Sequence, residues 1–284
     1  MSTHLTYLVR LAGLIVAISV SAVASVRADE PVFRPDTPRV LHIPTAHLQP
    51  PAVIYATLGG THRGGVMAGL STGLGQLAEI DAELSDHLAV CDGCATPGEK
   101  IAPDSLLTGS AQFKVGLAER RFSRWQPALA LGYRKSFLTR KSLVTGEVDS
   151  FDDYQVARLF VAVSKGLGPF RLHGGVDLWD AEVAAGDQRR ALSEEELGQR
   201  VRPFVGLAWT PSIYPRTSLV GDFSWIPVPE SGQVTLNWLA GWGVQYQAVD
   251  RVSIELAVRH RQGEDLGDST VLFRINAITS RSQR

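Results

Sequence analysis

The sequence predicts an all-β protein, a closed antiparallel up-and-down transmembrane β-barrel of about twelve strands. Three observations predict it. Apolar residues recur with period two from about residue 51 onward, short connections alternate with long polar ones, and no window after the N-terminal segment offers about 18 uncharged apolar residues. A helix therefore cannot be what crosses a bilayer. Strands can, if they close into a barrel that leaves no backbone group unpaired.

Residues 1–28 stand outside the fold as a signal peptide. Arg10 supplies the positive charge, Leu11 to Ser25 is apolar and uncharged, and Val26-Arg27-Ala28 ends in the small-residue pattern that a signal peptidase cuts after. Its removal leaves 26 basic against 29 acidic residues, a net −3. So balanced a chain has no bulk electrostatic reason to bind nucleic acid. Residues 29–50 follow, with Pro31, Pro35, Pro38, Pro44 and Pro50, a segment that either stays in the periplasm or folds up as a plug. The barrel is predicted over 51–280, with 281–284 a polar tail.

Alternation is clearest from Val234 to Tyr246, where Leu236, Trp238, Trp242 and Val244 oppose Thr235, Asn237, Gly241 and Gly243. Val252 to Val258 and Val271 to Ala277 repeat it. Upstream, strands are predicted around Phe113, Leu131, Leu172, Leu207 and Phe223, with weaker ones at 52–59, 65–73, 77–84 and 154–165. Short turns fall near residues 73–76, 119–124, 165–169, 211–215 and 247–251, and long loops at 85–105, 137–152, 180–200, 226–233 and 261–268. That asymmetry puts short turns and both termini in the periplasm. Trp125, Trp209 and Tyr246 at the short-turn end, with Tyr133 and Trp225 at the long-loop end, sketch two aromatic girdles, while Trp238 and Trp242 are expected nearer mid-membrane.

A soluble β-sandwich would also alternate. The face opposite the apolar one favours the barrel, because it is rich in Gly, Ala and Ser (Ala128, Ala130, Gly132; Gly206, Ala208; Gly241, Gly243), which suits an enclosed lumen. Pro127 and Pro203 inside strands argue the other way, as does a C-terminus from Ile278 to Arg284 without a terminal aromatic residue.

Ile43-Pro44-Thr45-Ala46, the run Gly69-Leu70-Ser71-Thr72-Gly73-Leu74-Gly75-Gln76-Leu77-Ala78-Glu79, and Gln245-Tyr246-Gln247-Ala248-Val249-Asp250-Arg251-Val252 resemble uncharacterised outer-membrane barrels of Gram-negative bacteria. Barrels associated with exopolysaccharide export are among them. The resemblance implies a fold and an address in the outer membrane, and it transfers no catalytic residue.

Charged residues at the bilayer midplane cost about 2–4 kcal/mol, so those in strands should face the lumen. The candidates are the acids Glu79, Asp81, Glu83, Asp177, Asp222 and Glu255, and the bases Lys114, Arg134, Arg158, Arg171, Arg202, Arg259 and Arg274, with His173 beside them. If water fills the lumen, this lining makes a narrow path for small polar solutes. If the lumen is packed, the same residues are ion-pair ladders in a structural or envelope-assembly barrel.

Catalysis has little to stand on, and the sequence reads as a non-enzyme. His173 shares a face with Asp177, but no Ser or Cys on that strand completes a triad, and His260 and Ser253 point opposite ways. Glu79, Asp81 and Glu83 could offer carboxylates to Ca²⁺, but adjacent acids near a rim are more often solvated or paired with Arg. No cofactor or metal is expected. In an exported chain, Cys91 and Cys94 read first as a small local disulfide in an outer loop, and Ser193-Glu194-Glu195-Glu196 has the spacing of a helix start. The expected partners are outer-membrane lipids, the barrel-assembly machinery and small polar solutes.

Overall fold

Period-two alternation turns one side chain of each pair toward lipid and the next toward the lumen. The computed structural model describes residues 39–51, 53–62, 65–85, 107–140, 153–185, 188–193, 200–230 and 233–279. The signal peptide, the Cys91–Cys94 pair, most of the Ser193–Glu196 run and the polar tail lie outside these residues.

The strands are β1 (Ile54–Thr61), β2 (Val66–Leu74), β3 (Ala78–Ser85), β4 (Leu107–Leu117), β5 (Ala128–Arg140), β6 (Asp153–Leu167), β7 (Phe170–Ala185), β8 (Gln188–Ala191), β9 (Val201–Trp209), β10 (Thr217–Glu230), β11 (Gln233–Val249), β12 (Val252–Arg261) and β13 (Thr270–Ile278). Twelve of them pair antiparallel with their neighbours around a closed ring. β1 joins β13 through pairs from Tyr55–Ile278 to Thr61–Leu272. The short β8 folds back on β7 beyond the reach of β9.

β3 shows how the wall is built. Glu79, Asp81, Glu83 and Ser85 are buried, and the residues between them, such as Ile80 and Leu84, are exposed. The same holds around the ring, with Leu131, Val161, Val205 and Phe273 outward and Lys114, Asp177 and Arg274 inward. On β7 the outward apolar run is Phe170 to Leu178, and the exposed Asp180 ends it. Nine strand residues at about 3.3 Å, tilted about 40°, rise roughly 23 Å, close to the apolar band of about 25 Å that membrane barrels carry. Tyr133, Leu159 and Leu178 lie side by side at the top of that band. This wall is that of a membrane-spanning barrel.

The lumen is filled. On one side Phe160 and Phe204 lie over Gly132 and Gly175, where an added Cβ would come within 2.1 and 2.4 Å of the rings. On the other, residues 39–51 run inside the barrel, burying Val40, Leu41, Ile43 and Ala46 in one apolar cluster with Met67, Val220 and Leu272. Gly206 and Gly241 make room for this segment, since a Cβ there would meet Ile43 Cδ1 at 2.5 Å and Leu41 Cδ1 at 2.9 Å. Gly73 is where it leaves: Pro51 bridges Gly73, and a Cβ would come within 2.0 Å of the Gln49 carbonyl.

The structure corrects several expectations. Residues 226–233 are not a long loop, because β10 and β11 stay paired to Glu230 and Gln233, with Pro227 and Pro229 in the ladder. β5 begins at Ala128, so Pro127 and Trp125 belong to the preceding turn, and Trp125 is exposed beneath the Arg124 guanidinium, 5.2 Å from the ring centre. Trp238 is not mid-membrane. It pairs with Trp225 and stacks on Phe223, so these three aromatics form the outer cluster. Pro203 costs little because β9 pairs with β10 only from Val205 to Trp209, which leaves that edge of β9 free at residue 203.

Candidate functional site

The lumen is where chemistry gathers, and each inward charge has a structural assignment. Glu79 and Lys114 face each other across β3 and β4, with Nζ 3.1 Å from Oε1 and both side chains fully enclosed. Lys114 also donates to the His47 carbonyl at 2.6 Å, and Glu79 Oε2 accepts the Gln49 amide at 2.7 Å. One cross-strand pair thus grips both ends of a stretch of the inner segment.

Asp81 and Glu83 take Arg39 from the inner segment, and Glu83 also takes Arg134, which donates to Ser110 at 2.8 Å. All three acids of β3 are therefore held by cations. Asp222 accepts the Ile43 amide at 3.1 Å and that of His42, with His42 Nδ1 3.2 Å from its other oxygen. Glu255 and Arg274 pair across β12 and β13, and Arg274 donates onward to the Leu41 carbonyl at 2.9 Å. Four of the wall's charges, Glu79, Lys114, Asp222 and Arg274, bond directly to the backbone of residues 39–51.

Arg158 and Asp177 form a bidentate pair, Nε to Oδ1 at 2.8 Å and Nη2 to Oδ2 at 2.7 Å. Asp177 and His173 share a face of β7, as expected, but both carboxylate oxygens serve the guanidinium and not the imidazole. His173 instead meets Ser164 across the β6–β7 hairpin, Nδ1 to Oγ at 2.8 Å, and Ser164 Oγ accepts the Ala46 amide at 2.9 Å. Reading one strand at a time missed Ser164, since the pair forms between strands. This Ser–His pair lies under the inner segment, and among the described residues no carboxylate bonds to the ring. Its geometry is that of an anchor for Ala46. A second unforeseen pair joins His260 Nδ1 to Ser269 Oγ at 3.1 Å, while Ser253 bonds to Gln245 and Asn276.

Arg171, Arg202 and Arg259 complete the set. Arg171 and His173 line a cavity of about 120 Å³ at the short-turn end. Arg259 lines one of about 100 Å³ at the long-loop end, together with Arg134 and Arg158. Arg202 lies over Trp225, its guanidinium carbon 4.3 Å from the ring centre. The inner segment stands between the two cavities.

Fold and lumen together define a class, a membrane-spanning β-barrel stoppered from within. No known family model and no curated protein matches the chain. Similar solved structures include a KdgM porin in complex with disordered oligogalacturonate, 5% identical over 81% of this chain and 99% of that one, TM-score 0.46. Outer membrane phospholipase A from Escherichia coli is 13% identical over 84% and 99%, TM-score 0.43. An outer-membrane channel from Pseudomonas putida F1 is 9% identical over 80% and 94%, TM-score 0.46. At such identities no residue role is carried over.

Proposed function

We propose that the protein is an outer-membrane barrel whose lumen is closed by its own N-terminal segment, a non-enzymatic structural or assembly component of the envelope. It reaches the outer membrane after Sec-type export, with the help of the barrel-assembly machinery, and keeps its termini in the periplasm. The observation that carries this reading is the tether. Asp222, Lys114, Glu79, Ser164 and Arg274, on five different strands (β10, β4, β3, β6 and β13), all bond to backbone atoms of residues 41–49. Bonds of this kind hold the segment by its backbone and so do not depend on the segment's own side chains, and the buried charges among their partners strengthen them.

The second reading is a narrow channel for small polar solutes that opens when the segment shifts. What favours it is a cavity on either side of the segment, each with polar side chains in its wall. Planar-bilayer recording of the full chain separates the two. The plugged barrel passes no steady ion current, and Asp222→Ala, which deprives the His42 and Ile43 amides of their acceptor, gives intermittent openings. Steady current through the unaltered protein would favour the channel.

A further inference from the structure

The barrel wall has a notch. β9 pairs with β10 only as far as Val205–Phe223, while β7 holds β9 up to Val201 and β11 holds β10 up to Glu230. Val201 to Phe204 and Ser224 to Glu230 thus face each other without a ladder. Leu178, the top of the outward apolar run on β7, pairs with Val201, so the notch opens within the long-loop half of the apolar band, which is the outer leaflet in the orientation proposed above. Pro203, Pro227 and Pro229 stand along its edges, where a missing N–H prevents the strands from zipping together.

Behind the notch is the outer cavity, about 100 Å³, whose wall includes Trp179, Trp225, Ile226, Pro227 and Leu239. Two donors of its wall, Trp179 Nε1 and Trp225 Nε1, are buried without a hydrogen-bond partner among the described residues, and Trp179 is only 7% exposed. Arg202 is not in that wall but lies beside it on the Trp225 ring, and its Nε is likewise buried without a partner. Buried donors left unpaired are costly, so these three N–H groups call for an acceptor. Arg202 and Trp225 stand on opposite sides of the notch and meet across it. The wall also carries Arg39, Arg134, Arg158 and Arg259 against one acid, Glu83; Arg39 and Arg134 are paired with Glu83, and Arg158 with Asp177 behind it.

We infer that the notch is a lateral entrance from the outer leaflet and that the outer cavity holds the head of a long-chain carboxylate. Its oxygens would be bonded by Arg202, Trp179 and Trp225, and its chain would lie out through the notch into the bilayer. The cavity is too small for a two-chain lipid head with its sugars or glycerol, but it fits a carboxylate and a few methylenes. The inner segment contributes Arg39, Leu41 and His42 to the cavity, so the inference rests on the plugged state proposed above.

The test uses the full chain in lipid nanodiscs with palmitate ¹³C-labelled at its carboxyl. The expected result is a bound carboxyl resonance, separate from that of the bilayer pool and saturating near one per barrel. Arg202→Gln and Trp225→Phe should each weaken it by about tenfold, the worth of one charge-assisted or buried hydrogen bond. Hexadecanol and butyrate should not displace it. To test the entrance, Val201→Cys and Pro227→Cys are bridged by a short bifunctional thiol reagent, with Cys91→Ser and Cys94→Ser as background. Bridging should slow exchange at least tenfold relative to the unbridged protein. Absence of a bound resonance overturns the inference. So does equal displacement by hexadecanol, which would mean a merely apolar groove, or by butyrate, which would mean a site for soluble anions. Exchange unchanged by the bridge overturns the lateral entrance.

Discussion

Lys114 is the residue that shows most plainly what this lumen demands. A fully buried ammonium is tolerable only because Glu79 neutralises it and backbone carbonyls of the inner segment take its remaining protons. Breaking such a pair from one side leaves an uncompensated charge, which costs about 3–5 kcal/mol, whereas removing both charges is often close to neutral. Lys114→Met should therefore destabilise the barrel strongly, and Lys114→Met with Glu79→Gln should recover most of the loss. Denaturant unfolding of the folded protein in detergent, read as a double-mutant cycle, checks it. Additive losses would show that the two side chains act apart. At this scale the sequence was half legible. Alternation along one strand tells which side of the wall a residue takes, so Glu79 and Lys114 could be placed on one face. Their partnership is a matter of register between strands, and so is that of Ser164 and His173, which alternation does not carry. Arg39 was further out of reach, because it lies in a proline-rich stretch with no period to read.

Among the elements, the strands were legible where they are paired on both sides and illegible where they are not. The prolines at 227 and 229 made residues 226–233 read as loop, yet both sit in β10 opposite Leu236 and Val234. A proline is costly in a strand only when a neighbour needs its N–H, and whether the neighbour is there is a non-local fact. The point can be measured on β9. Pro203→Ala should change stability by no more than about 0.5 kcal/mol, since no ladder to β10 exists at that residue. Val205→Pro, two residues on, falls where β9 pairs with both Gly174 of β7 and Phe223 of β10 and should cost about 3 kcal/mol. Urea or guanidinium midpoints in detergent decide between them. Equal effects at the two positions would mean that β9 is paired alike along its length. The inner segment, residues 39–51, is the element that pattern reading leaves undecided between periplasm and lumen. Its apolar residues Val40, Leu41, Ile43 and Ala46 have neither helical nor strand spacing, and the glycines that admit it, Gly206 and Gly241, lie far away in sequence.

For the molecule as a whole, the question that alternation leaves open is what the apolar face meets, since a sandwich and a membrane barrel share the pattern. Closure decides it. In a sandwich the apolar faces of two sheets would cover one another, whereas here the polar and small residues are enclosed and the apolar ones form the outer surface. Val161 lies between Leu131 and Val176 on that surface, two residues below Leu159 at the top of the band. If lipid surrounds it, Val161→Arg places a guanidinium in hydrocarbon and should cost about 2–4 kcal/mol, while Asp180→Arg above the band should cost no more than about 1 kcal/mol. If water surrounds it, both are surface substitutions and should fall within about 0.5 kcal/mol of the unaltered protein. Guanidinium unfolding from phospholipid vesicles, followed by tryptophan fluorescence, gives both values in one series. A large loss at 161 beside a small one at 180 is the signature of depth in a bilayer, and two equally small losses would require a water-soluble protein. Val161→Leu in the same series should be nearly silent, because it keeps the residue apolar and so separates the cost of charge from the cost of size.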